Sequence, residues 1–300
     1  MVIPFLRRLV KRLKTFPPLA KLDWQLYLLK DFWATKIWTR TKITSTPFGF
    51  NLTTRIHPAY ELMRTGKFEP DETRIFLKIL GATDVFVDVG ANLGYYCCLA
   101  LQKNKAVIAL EPQAQNLDCL YQNLISNGWH DNVEIYPIAL SSKPGLLTLF
   151  GASGPSASLI QNWAGYSPRI KQTVPANTLD NVLDGRLSGK RLTIKIDVEG
   201  AEFQVLEGAL ATISRLPRPI WMIEVCFKEY HPDGINPDYR RIFDLFWDKG
   251  YQCHAADIDF TIIRPEDVGR WVATGVRGVR TFNYVFVDRA VQIHTAASST

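Results

Sequence analysis

The stretch "VFVDVGANLGYY", residues 85–96, decides the fold. Its first five residues are apolar and mostly β-branched or aromatic apart from Asp88, which predicts a buried strand. Gly90 and Gly94 then bracket a turn, and the residues from Leu93 predict a helix over 93–103. Glycine at both positions lets backbone approach a ligand, and the free N–H groups of the first helical turn point to the same place. The G-x-x-x-G spacing differs from the G-x-G-x-x-G of a pyrophosphate-binding turn.

Reading outward, "AVIALEP" (106–112) is the next strand and ends in Glu111, an acid placed to grip two ribose hydroxyls. A helix over about 113–127 closes at Asn127-Gly128, and the strand "VEIYPIAL" follows. "GLLTLFG" reads as a further strand at the sheet edge. A Gly/Ser/Pro-rich loop (151–168) leads to a short helix in "NTLDNVLDG". A strand at 192–197, a helix at 199–213, the strand "PIWMIEV" and a helix at 237–249 come next, before two last strands, "YQCHAAD" and "TFNYVFVDR". On the near side, residues 42–58 read as β-rich or irregular, and Asp71 and Glu72 open a helix over about 71–80. Strands alternating with helices predict a mostly parallel sheet covered on both faces, with ligands beyond the carboxyl ends of its strands.

One strand end carries unusual charge. In "RLTIKIDVEGAEFQVLEGAL" (191–210), strand alternation puts Thr193, Lys195 and Asp197 on one face and Leu192, Ile194 and Ile196 on the other. Lys195 is poorly solvated there, and Glu224 on the neighbouring strand is the expected ion-pair partner. Glu199 and Glu202 straddle Gly200 in the first helical turn, where the helix dipole favours an acid.

Composition narrows the class. The 300 residues are 47% hydrophobic and 21% charged, ordinary for a folded protein. Ten Lys/Arg against two Asp make residues 1–42 +8, so the net +6 leaves the other 258 residues at −2. Phe5, Leu6, Leu9, Val10 and Leu13 at helical spacing, with basic residues between them, predict a basic amphipathic helix over 1–14 suited to an anionic membrane surface or to packing on protein. Residues 22–38 are too short and too polar to span a bilayer. The five cysteines lack metal-like spacing and read as small buried hydrophobes of a reducing compartment. The division expected is an extension over 1–60, basic, aromatic and largely helical, a domain over 61–290 and a flexible tail over 291–300.

"DVGANLGYY" with "LEP" resembles the cofactor-binding half of class I S-adenosylmethionine-dependent methyltransferases. Together with "TLD" (178–180) and "KIDVEGAE" (195–202) it is similar to the FkbM family in particular, over about residues 70–288. The resemblance implies a Rossmann-like α/β fold, a seven-stranded sheet whose last strand runs antiparallel between two others. It implies S-adenosylmethionine as cofactor and O-methylation of a hydroxyl on a sugar, glycolipid or polyketide-type acceptor. Asp88, Gly90, Ala91, Asn92 and Gly94 would line the methionine part, and Glu111 would hold the ribose. Ala139 and Leu140 would lie near the adenine, through backbone because Ala139 stands where many relatives carry an acid.

Asp197, at the strand end, is the first candidate to orient or deprotonate an acceptor hydroxyl, with Glu199 or His231 assisting. A divalent metal on these acids is the less favoured option, since His is scarce and no ligand-spaced cluster occurs. Insertions at 151–170, 228–239 and 258–280 carry Trp163, Tyr166, Tyr230, His231 and Trp271 as acceptor-facing aromatics. The rival readings are a nucleotide-dependent oxidoreductase, disfavoured by the glycine spacing, and a non-enzymatic membrane-associated protein, which leaves both motifs unused. No nucleic-acid partner is expected from a slightly acidic body without an aromatic-basic motif. The expected location is cytoplasmic, with residues 1–14 bringing the chain to the inner face of a membrane.

Overall fold

Side chains alternate across each central strand, so every strand feeds two cores at once. Val85, Val87 and Val89 of β3 (Val85–Val89) face one apolar cluster, and Phe86 faces the other. In a computed structural model, which describes residues 41–55, 57–151 and 156–289, this strand is central to an eight-stranded sheet. β4 (Ala106–Leu110) and β5 (Val133–Tyr136) lie to one side of it. On the other side lie β9 (Leu192–Ile196), β10 (Ile220–Glu224), β13 (Asn283–Asp288), β11 (Tyr251–Ala255) and the two-residue β12 (Ile262–Ile263). β13 runs antiparallel between β10 and β11, as the sequence led us to expect, and β12 adds an eighth strand at the edge.

The first face carries α5 (Leu179–Leu183), α6 (Glu202–Glu207), α7 (Leu210–Ser214), α8 (Tyr239–Asp248) and α9 (Pro265–Thr274). The second carries α2 (Pro70–Ile79), α3 (Tyr95–Gln102) and α4 (Ala114–Ser126). A hairpin of β1 (Thr41–Ser45) and β2 (Asn51–Arg55), followed by α1 (Pro58–Arg64), packs on that second face through Phe50, Leu52, Tyr60 and Met63. Asn123 of α4, fully buried, clamps the hairpin. Its Oδ1 accepts from the Thr53 N–H (2.5 Å), and its Nδ2 donates to the Thr53 and Leu93 carbonyls (3.1 and 2.8 Å). One amide therefore ties the hairpin to the turn after β3. Residues 1–40, with the expected amphipathic helix, lie outside the described residues, as does the tail from 290.

Two expectations are corrected. "GLLTLF" leaves the main sheet: β7 (Gly145–Phe150) joins β6 (Ala139–Leu140) and β8 (Lys171–Asn177) in a second sheet of order β6-β8-β7. Pro175 hides β8 from a sequence reading, since proline is rare inside a ladder. It pairs with Leu146 of β7, while β6 reaches only Ala176 and Asn177 on the other side. The helix expected over 199–213 is two, α6 and α7, broken at Gly208. A Cβ there would stand 2.2 Å from the Ser141 carbonyl oxygen. Asp180 of the "TLD" block restarts the helix, its carboxylate accepting from the Ala211 and Thr212 N–H groups (2.9 and 2.8 Å). Among the described residues no helix is long and apolar enough to cross a membrane.

Candidate active site

A cavity of about 360 Å³ opens at the carboxyl ends of β3, β4 and β9. The turn after β3 forms its floor. Gly90 and Ala91 donate their N–H groups to the Leu110 carbonyl (2.9 and 3.0 Å), stitching the turn to β4. Both glycines answer to contacts within the protein. Gly90, at φ +85°, passes so close to β9 that a Cβ would lie 2.0 Å from the Asp197 carbonyl oxygen. Gly94, at φ +84°, would meet the Leu120 side chain at 2.3 Å and does not line the cavity, whereas Gly90, Ala91 and Asn92 do.

At one end stands Glu111, only 4% exposed. Its Oε2 accepts from the Asn92 N–H (2.8 Å); its Oε1 accepts from the Gln113 N–H (2.8 Å) and Asn116 Nδ2 (3.2 Å). Burial pushes its pKa up to about 7 despite those donors. Ala139 and Leu140, expected near an adenine, line the same cavity, together with Gln113. The Gln113 Oε1 is buried with no hydrogen-bond partner among the described residues.

The other end is a carboxylate cluster around one lysine. Lys195, buried, donates to Asp197 Oδ2 at 2.7 Å, and its Nζ lies 4.7 Å from the Tyr96 ring centroid. Asp197 therefore takes the place expected for Glu224. The register explains why: Met222 stands opposite Lys195, so Glu224 sits one pleat further on, while Asp197 follows Lys195 on its own strand. Burial opposes the ammonium, yet Asp197, Glu69 and Asp88 together hold the Lys195 pKa above its ordinary value. Asp88, opposite Lys195 across β3, accepts from Cys97 Sγ (3.1 Å), and burial pushes it up to about 6.

Glu69 is the site residue that sequence reading missed. It precedes Pro70 at the start of α2, in the left-handed region at φ +42°. Its Oε2 accepts from the Tyr96 hydroxyl (2.6 Å), and burial raises its pKa to about 7. Glu224 completes the cluster, raised well above the carboxylate range by burial and by the charges of Asp197 and Glu199.

Glu199 and Glu202 take different roles beside it. Glu202 begins α6 and accepts from the Gly200 N–H at 2.9 Å, the helix-start role expected for it. Glu199 turns back at φ +57° and accepts from Trp163 Nε1 at 2.7 Å. Burial and the neighbouring Asp197 charge push its pKa up to about 8. Gly200 makes room for that indole, since a Cβ would stand 2.4 Å from Trp163 Cζ3. Tyr230 and Tyr166 line the cavity; Trp271 packs into the core on α9. His231 is not among the residues that line the cavity and meets Trp163 edge-on, ring centroids 6.1 Å apart. Among the described residues no group of three or more His, Cys, Asp and Glu is arranged to hold a metal ion.

Comparison with known proteins bears on this arrangement. Residues 88–253, more than half of the chain, match the Methyltransferase FkbM domain. The chain is 29% identical over 140 residues to the hexuronic acid methyltransferase AglP of Haloferax volcanii, a match covering 47% of this chain and 56% of that one. It therefore spans little more than half the length of that relative. It is 26% identical over 202 residues to the methyltransferase sdnD of Sordaria araneosa, covering 57% and 75%. A crystal structure of a methyltransferase FkbM from Methylobacillus flagellatus superposes with a TM-score of 0.42 at 18% identity, over 69% of this chain and 44% of that one. With the matched segment running from the floor of the cavity to the last parallel strand, the chain belongs to the FkbM methyltransferase domain family.

Proposed function

We propose that the chain transfers the methyl group of S-adenosylmethionine to a hydroxyl of a sugar, glycolipid or polyketide-type acceptor. One observation carries this reading: a single cavity has a buried, donor-bound carboxylate at one end and a cluster of carboxyl groups at the other. The chain's residues fit the cofactor. Glu111 has about four acceptor positions and uses three on the protein, leaving one for a ribose hydroxyl. The unpartnered Gln113 Oε1 offers an acceptor beside Ala139 and Leu140. Asp88, Glu69 and Asp197 suit a ligand that carries positive charge, with Gly90, Ala91 and Asn92 forming the floor.

When bound, the cofactor supplies a methyl group activated on a sulfonium. The protein then has to align an acceptor oxygen and receive its proton. Lys195 fixes Asp197 through Oδ2, which leaves Oδ1 to accept from the acceptor hydroxyl. Glu199, its pKa pushed up to about 8, can take up the proton that the acceptor sheds only in the molecules where it is ionised, a fraction that grows as pH rises through that value. The sugar acid in the name of the archaeal relative supports a sugar-type acceptor. The basic amphipathic pattern of residues 1–14 supports presentation at an anionic membrane.

Label from methyl-labelled S-adenosylmethionine should pass to a fractionated glycan or lipid extract as an alkali-stable ether. Asp197→Asn should lower that turnover at least ~100-fold while S-adenosylhomocysteine affinity stays within a few-fold; full activity in the variant would remove Asp197 from the reaction.

The ligand-free protein should also lose stability as pH rises. Glu69, Asp88, Glu111, Glu199 and Glu202 have folded pKa values of about 6 to 8 against 3.8 to 4.5 unperturbed, so the folded chain keeps protons that the unfolded chain has released. Their contribution is complete below the unfolded values and disappears as pH climbs through the folded ones. His254, lowered by burial, opposes this only below its ordinary 6.5. Melting temperature should fall between about pH 5 and pH 8; a flat or rising profile would show the carboxyls to be ionised throughout. Finally, removing residues 1–14 should abolish co-sedimentation with anionic vesicles, and unchanged binding would end the membrane reading.

A further inference from the structure

The family-matched segment begins at residue 88, yet two residues well before it bond into it, Tyr60 to the turn after β3 and Arg55 to α4. Arg55, the last residue of β2, and Tyr60 of α1 belong to the hairpin segment clamped by Asn123. The Arg55 Nη2 donates to Asn116 Oδ1 (2.7 Å) and to the Tyr60 hydroxyl (3.2 Å), spending one hydrogen on each; Nη1 donates to Gln115 Oε1 (2.7 Å). Asn116 then donates from Nδ2 to Glu111 Oε1, and the Tyr60 hydroxyl donates to Asn92 Oδ1 (3.3 Å). Asn92 closes the circuit by donating its backbone N–H to Glu111 Oε2.

Direction in this ring is set by chemistry. A guanidinium only donates, and the Glu111 oxygens accept from both Asn116 Nδ2 and the Asn92 N–H, so Arg55 is the source and Glu111 the sink of both arms. Because Arg55 must face an oxygen of Asn116, the amide nitrogen is turned to Glu111. Because Arg55 occupies the Tyr60 oxygen as acceptor, the one phenolic proton is left for Asn92. Asn116 and Tyr60 are 1% and 2% exposed, so a partner lost at either is costly to replace.

We infer that Arg55 is a positioning residue for the ribose-binding carboxylate, fixing the orientation of Glu111 through Asn116 on one side and through Tyr60 and Asn92 on the other. This rests on the S-adenosylmethionine reading of the cavity. It makes the hairpin, which lies outside the matched segment, part of the cofactor site.

Calorimetry with S-adenosylhomocysteine and its 2′-deoxy analogue tests it, with urea unfolding confirming that each variant is folded. Arg55→Met should weaken S-adenosylhomocysteine about tenfold and shrink its advantage over the 2′-deoxy analogue. Arg55→Lys, which keeps the charge and a donor, should recover part of the loss and carries the test should Arg55→Met not fold. In a Glu111→Gln background Arg55→Met should cost nothing more, because the two act through one carboxylate. Affinity within twofold of the parent, equal losses for both ligands, or multiplying losses in the double variant would overturn the inference. Failure of the parent to bind S-adenosylhomocysteine at all would instead overturn the cofactor reading, and the inference with it.

Discussion

The buried ion pair between Lys195 and Asp197 sets the conditions for the whole site. An ammonium taken out of water without a partner costs several kcal/mol, so a lysine one pleat from the end of a central strand requires a carboxylate within reach. Asp197 meets that need on the same strand at 2.7 Å. One positive charge cannot satisfy every carboxyl that faces it. Asp88, buried, and Glu69 and Glu224, half-buried, are therefore left around a lysine already taken, and their pKa values rise. The result is a cavity wall whose carboxyls hold their protons more readily than free ones do.

The backbone around this pair is correspondingly tight. The turn after β3 lies against the Asp197 carbonyl so closely that only glycine fits at position 90. Beyond the strand, Gly200 lets Trp163 lie against the chain and hold Glu199 by its indole N–H. Asp197 is thus fixed from three directions: by Lys195 beneath, by the turn after β3 beside it, and by the Glu199–Trp163 bond beyond. At the far end, Glu111 is held by donors from the Asn92 turn, the Gln113 backbone and Asn116. Two acids held at opposite ends of one cavity suit the proposed ligand, which has a ribose and a cationic tail.

Much of this was legible in the sequence, because a strand that gives way to a glycine turn and a helix changes its hydrophobic period abruptly. The alternation of strands and helices, the strand-end position of Glu111 and the shared face of Lys195 and Asp197 all follow from local pattern, whereas the antiparallel last strand was implied by the family resemblance. What was misread depends on contacts between distant residues. The glycines were taken to make room for a ligand; Gly90 does line the cavity, but the lack of a side chain answers also to Asp197 at position 90 and to Leu120 at position 94, neither of which is near in sequence. Glu224 was taken as the partner of Lys195 because depth along a strand can be counted, whereas register cannot. Glu69 was not singled out at all, because Tyr96, which bonds it, and Lys195, whose charge it faces, lie on other elements. The small sheet of β6, β7 and β8 was hidden by Pro175 and by the length of the intervening loop.

Whether the cavity is organised around a cation is tested most directly by counting protons. Titrating S-adenosylmethionine and S-adenosylhomocysteine into the protein at neutral pH, in two buffers of different ionisation enthalpy, gives the number released by each. The two ligands differ by the charge on sulfur, so the sulfonium should drive protons off the carboxyl cluster that the neutral thioether leaves in place. Greater release with S-adenosylmethionine is the expected result. Equal release, or uptake, would contradict a site built from buried carboxyls around Lys195.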